Sequence, residues 1–118
     1  MSEIRMEIFH HIVAKLLYVS KRARVDIDLV VSFLCTRVSR STKEDWGKHR
    51  KLLNYLWDTI DMPGIIGDNG LDLMETYIDA SYAVHQDMRG HTCGVLTLGR
   101  GIVQGKATKQ KLNTRSST

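Results

Sequence analysis

The residue best suited to chemistry is Asp79, in the run TYIDASYA. Tyr77, Ile78, Ala80 and Tyr82 mark an apolar strand around it, and a carboxylate buried in such a strand without a partner is costly. A bound metal ion, a cationic side chain or a hydrogen bond at the strand end would each offset that cost. Capping of the following turn through Ser81 is the ordinary structural alternative. The neighbouring carboxylates Asp72, Glu75 and Asp87 offer little help. Glu75 shares a strand face with Asp79 but stands four residues back, about 13 Å away.

A second group is basic. Lys106, Lys109, Lys111 and Arg115 lie in residues 101–118, which hold four basic side chains and no acidic one. In an extended segment Lys109 and Lys111 would share a face and could follow a phosphate backbone. Lysines on an edge strand also discourage edge pairing, which is the structural alternative.

The remaining candidates are poorer. His10 and His11 are adjacent, so on a helix they diverge by about 100° and cannot chelate together. His91 and Cys93 form one His-x-Cys pair with no second pair at zinc spacing. The five histidines are therefore expected to face solvent or to be half-buried. Cys35, among apolar neighbours, reads as a small core residue, and Cys93 has no evident activating partner. Two cysteines 58 positions apart make no disulfide framework, which favours a reducing compartment. GIIGDNG lacks the Lys-Ser/Thr ending of a P-loop, LGRG is too short for a dinucleotide fingerprint, and neither GxSxG nor HExxH occurs. Trp46, Tyr55 and Trp57 are spaced as core residues of one helix rather than as a base-stacking platform.

The elements that must carry these groups fall into two halves. Apolar residues recur at helical spacing through Ile8, Phe9, Ile12, Val13, Leu16 and Leu17, then through Ile27, Val30, Val31 and Leu34. A third stripe runs Trp46, His49, Leu53, Leu56 and Ile60, opened by a capping box of Ser41 with Glu44 or Thr42 with Asp45. The spacing predicts helices over 4–20, 26–38 and 42–58, the second opening at Asp26. At Asp61-Met62-Pro63-Gly64 the pattern changes to short glycine-separated runs, 64–67, 73–81, 94–99 and 102–107. GDNG at 67–70 and LGRG at 98–101 read as turns, the second a tight hairpin loop. The expected fold is α+β, with three N-terminal helices followed by an antiparallel three-stranded meander. The expected domains are 1–62 and 63–118. Ser116, Ser117 and Thr118 suit either the start of a further helix or a frayed polar tail.

Composition bounds the function. The chain has 118 residues, 42% hydrophobic and 25% charged, with a net charge of +4, which excludes a large multidomain enzyme and wholesale disorder. Residues 1–60 carry 11 basic and 7 acidic groups, 61–100 carry 2 and 6, and the rest are basic only. A basic half and a basic tail around an acidic middle suit a polyanion or a metal–polyanion partner, although a solvated surface with uneven charge gives the same counts. No stretch reads as an export signal or a membrane span, so a cytoplasmic or nuclear protein without a membrane partner is expected.

In their order, FHHIVAKLLYVSKRARVDIDLVVSFLCTRVS, DWGKHRKLLNYLWDTIDMPGIIG and TYIDASYAVHQDMRGHTCGVLTLGRGIVQGKATKQKLNTRSST resemble the C-terminal part of copia-type retrotransposon polyproteins. The likeness runs from about Phe9 onward, and DASYAVHQDMRGHT and KQKLNTRSST are its specific parts. It implies the end of a reverse transcriptase, its connecting helices, and the opening half of an RNase H-like fold. It further implies hydrolysis of the RNA strand of RNA–DNA hybrids by two Mg2+ or Mn2+ ions, with Asp79 as the first metal-binding and catalytic aspartate. The family's next ligand, a glutamate, follows the Ser-Ser-Thr, and its polymerase aspartates lie upstream of Met1. On that count of ligands the chain alone is expected to be an inactive fragment that holds no ion stably, with self-association through an incomplete sheet. A non-catalytic nucleic-acid-binding or interaction module is the other expectation. The sequence departs from the pattern at Val25, where proline is usual, and at Cys93, where a Gly-Gly pair is usual. If that position needs φ above zero, cysteine would strain the second strand.

Overall fold

The computed structural model describes residues 2–70 and 72–113 and divides into two compact units, Met1–Pro63 and Gly64–Thr118. The fold is α+β, three helices followed by antiparallel strands. No helix among the described residues is long and apolar enough to cross a membrane.

In the first unit α1 spans Glu3–Arg22, with Glu3 in its first turn and Lys21 and Arg22 in its last, each charge complementing the helix dipole. Of its apolar side chains Phe9, Val13 and Leu16 turn inward, at i, i+4 and i+7. They pack with Ile27, Val31, Leu34 and Leu52 in one core. Each such side chain contributes roughly 1.5–3 kcal/mol on burial. Cys35 is half-buried against this cluster, and burial pushes its thiol up from the ordinary range.

The second helix departs from expectation. Instead of one helix over 26–38 the chain makes a 3-10 turn at Val25–Ile27, a short α2 at Asp28–Cys35, and a second 3-10 turn at Val38–Arg40. Asp26 is held outside α2, accepting hydrogen bonds from Arg24 Nε (2.9 Å), Arg24 Nη2 (2.8 Å) and the Tyr55 hydroxyl (2.8 Å). The residue that opens α2 is Asp28. Its buried carboxylate takes the Ser20 hydroxyl at 3.2 Å and the Lys21 ammonium at 2.8 Å, which ties α2 to the end of α1. At the other end the Thr36 hydroxyl donates to the Phe33 carbonyl at 2.7 Å, drawing off an acceptor where the helix stops.

The third helix, α3, spans Lys43–Asp58 and opens on the Thr42–Asp45 capping box, the second of the two anticipated. Thr42 N–H donates to Asp45 Oδ2 at 2.9 Å and Asp45 N–H to Thr42 Oγ1 at 3.3 Å. His49 and Leu52 are buried on its inner face. Ile60 lies past its end and is exposed, as are Trp57 and Tyr55, so the core-like spacing of those two aromatics does not place them in the core. His49 lies on the inward face that its place in the apolar stripe implies, and is buried more deeply than the solvent-facing or half-buried position expected of the histidines: it is 1% exposed, between the rings of Phe9 and Trp46.

The second unit holds β1 (Gly67–Asp68), β2 (Glu75–Ser81), β3 (His91–Thr97), β4 (Gly99–Arg100) and β5 (Ile102–Lys109). β2, β3 and β5 form an antiparallel sheet in that order, so β2 and β5 are its edges. The ladder pairs Asp79 with Cys93 and Cys93 with Ala107, and a bulge between Leu96 and Thr97 shifts the register toward the turn. β3 thus begins three residues before the expected Gly94. Cys93 sits inside the ladder, where extended backbone suffices, and it is not among the described residues with positive φ.

The expected turn at LGRG is present, and its tip does more than reverse the chain. Gly99 and Arg100, as β4, pair with the GD of GDNG, as β1. Asn69 N–H donates to the Leu98 carbonyl at 3.2 Å. Gly101 has φ +70, and a Cβ there would collide with the Ile65 carbonyl oxygen, so only glycine fits.

Candidate metal and nucleic-acid site

Asp79 lies on the edge strand β2 with its side chain exposed. That corrects the premise of a buried carboxylate. Tyr77 and Ile78 point to opposite faces of the sheet and are both exposed, so the apolar neighbours of Asp79 do not bury the strand. The carboxylate accepts a hydrogen bond from the Ala80 N–H at 2.8 Å, rather than capping the turn through Ser81. This bond satisfies one backbone donor of an edge strand, a structural use of the residue that also blunts edge pairing.

Cross-strand partners share a face. Asp79 therefore stands in a row with half-buried Cys93 and buried Ala107. Ser81, His91 and Lys109 form the next row on the same face. Glu75 is on this face too, at the far end of β2. A carboxylate, open to water and within reach of an ion, is thus available, and hard cations such as Mg2+ are held by carboxylate and water oxygens. Among the described residues no group of three or more His, Cys, Asp or Glu side chains is gathered for a metal.

The basic residues do not form one stripe. Lys106 pairs through Gly94 with Ile78, on the face opposite Asp79. Lys109 is on the Asp79 face and donates to Asp87 Oδ2 at 2.6 Å. That bond, more than the nearby Arg89, holds the Asp87 carboxyl below the usual carboxylate range. Lys111 is exposed in a bend past the end of β5, so it does not continue an extended face with Lys109. Arg115, with Ser116, Ser117 and Thr118, lies outside the described residues.

One pairing was not foreseen from the sequence. His85, in the loop 82–90, and His91, at the start of β3, are each 4% exposed, and His85 Nε2 lies 3.0 Å from His91 Nδ1. Six residues separate them across an irregular loop, and no periodicity marks the pair.

The molecule is thus a two-unit α+β protein whose second unit carries a solvent-facing aspartate on an open antiparallel sheet. No family model, curated protein or solved structure matches the chain.

Proposed function

We propose that this chain is part of a copia-type reverse transcriptase/RNase H polyprotein, and that Asp79 contributes one carboxylate to a divalent-metal site that acts on RNA–DNA hybrids. The observation that carries the proposal is the position of Asp79. It stands exposed on the first strand of the three-stranded antiparallel sheet, where the resemblance sets the first metal-binding aspartate. Order supports the reading as well: the helices precede this sheet, as connecting helices precede RNase H in the family.

The chemistry sets a limit. Two ions of charge +2 must each be held while they stabilise the attacking and leaving oxygens of the phosphodiester. Asp79 supplies one carboxylate, and Glu75, the other on its strand face, is about 13 Å along β2. The chain by itself is therefore proposed to bind hybrid without cutting it. Lys106, Lys111 and the partly neutralised Lys109 supply contacts to phosphate, and such binding weakens steeply with salt.

The test is a labelled RNA–DNA hybrid incubated with purified chain and Mn2+, with fluorescence anisotropy of the same hybrid in parallel. Binding at low salt without cleavage is the expected result. Absence of binding at low salt would remove the nucleic-acid reading. Cleavage that Asp79→Asn abolishes would overturn the claim that the chain alone is inactive.

A further inference from the structure

We propose that His85 and His91 form a proton-responsive latch on the loop 82–90 that joins β2 to β3. Their facing nitrogens are 3.0 Å apart and their ring centroids 5.3 Å apart, in a site from which water is nearly excluded. A bond between two imidazoles needs one N–H and one bare nitrogen. The neutral pair meets that requirement, and so does the pair with one added proton, because an imidazolium can donate to an imidazole. A second added proton leaves only donors facing each other, with two positive charges in a buried site, and the bond cannot persist. The pair therefore takes up its protons in two coupled steps, and the second step opens the latch.

The loop is built so that the latch matters. Ala83 has φ 50 and Met88 φ 60, left-handed conformations that non-glycine residues adopt only under constraint. His85 is the fixed point between them: its N–H donates to the Arg89 carbonyl at 3.2 Å, and its carbonyl accepts from Met88 N–H at 2.9 Å. Releasing the His85 ring removes a constraint on both strained residues.

Among the described residues, charged groups of both signs stand near the pair. From β5, Lys109 is the ladder partner of His91, while from β2 Ser81 faces it and Asp79 lies two residues further on the same face. Cys93 follows two residues along β3, and the loop contributes Tyr82, Asp87 and Arg89. Asp87 is shared between Lys109 at 2.6 Å and Arg89 at 3.4 Å. The latch holds whether or not Asp79 serves a nuclease.

The test is amide hydrogen exchange of His85 and Met88 in the full chain between pH 7.5 and 4.5, corrected for intrinsic rates. In the wild type, protection of both amides is expected to fall at least about ten-fold toward the acid end. In His91→Gln, whose amide can accept or donate but does not titrate, it is expected to stay level. If that variant does not fold, ring nitrogen shifts of the wild type serve instead. Two-step uptake, with the hydrogen bond lost at the second step, supports the latch. The same pH dependence in both proteins, or two histidines that titrate independently while the loop stays protected, would overturn it.

Discussion

His49→Leu will change how the helical unit responds to acid. The His49 ring is buried beside Phe9, at a centroid distance of 5.5 Å, and Trp46, at 5.4 Å, and neither ring nitrogen has a hydrogen-bond partner among the described residues. Burial therefore pushes its pKa below the ordinary value of 6.5. The sign follows directly. Above about pH 6.5 both folded and unfolded imidazoles are neutral, and His49 adds no pH dependence. Below it the unfolded chain binds a proton that the folded chain refuses, so stability falls as pH falls. The loss is up to about 1.4 kcal/mol for each pH unit in which the folded ring stays neutral. Leucine removes the titration and the unpaired N–H, worth about 1–3 kcal/mol, and loses ring contacts worth about 0.5–1.5 kcal/mol. Near pH 8 the variant is thus expected to be at least as stable as wild type, and the gap widens on acidification. Urea titration followed by tryptophan fluorescence reads this unit selectively, since Trp46 and Trp57 are both on α3. Parallel pH profiles for the two proteins, or a His49 ring that titrates near 6.5 in the folded protein, would refute the reasoning.

Asp28→Ala leaves the Lys21 ammonium without its carboxylate and breaks the Ser20 link between α1 and α2. A loss of about 2 kcal/mol is expected by urea titration, discounted because Lys21 is half-exposed, and Asp28→Asn should retain part of it. Gly101→Ala forces a Cβ against the Ile65 carbonyl at φ +70. It should destabilise the sheet unit by more than about 1 kcal/mol, seen as faster exchange of the β3 and β5 amides, while the tryptophan-detected transition stays in place. Raising NaCl from 50 to 200 mM should weaken hybrid binding by at least about ten-fold if several phosphates are contacted, and Lys106→Ala should reduce the slope of that dependence. A salt-independent affinity would contradict phosphate contact.

The helices were legible because 3.6-residue spacing and a capping box are local signals. The sequence located α1 and α3 to within a few residues, and the α+β order followed from the change of pattern near Pro63. What failed was any inference that depends on partners from elsewhere in the chain. Asp26 suits a helix start, yet Arg24 and Tyr55 hold it outside α2, and Tyr55 is 29 positions away. His49 is on the apolar stripe read from the spacing and is turned inward, whereas Trp57, expected in the core as an aromatic, stands off that stripe and is exposed. The run around Asp79 reads as an apolar strand, whereas the sheet leaves both faces of β2 largely open. The pairing of β1 with β4 involves two residues on each side, too few to carry a period. His85 and His91 meet across a loop in which Ala83 and Met88 take left-handed conformations that the sequence does not announce.

The most direct test of the proposed role of Asp79 is to locate a paramagnetic ion by NMR. Mn2+ at substoichiometric concentration, visiting the single carboxylate in fast exchange without stable binding, should broaden the amides of Ile78, Asp79, Ala80 and their ladder partner Cys93 first, and Asp79→Asn should abolish that selectivity. Broadening centred on Asp87, or an identical pattern in wild type and Asp79→Asn, would contradict the assignment of Asp79 to a divalent-metal site.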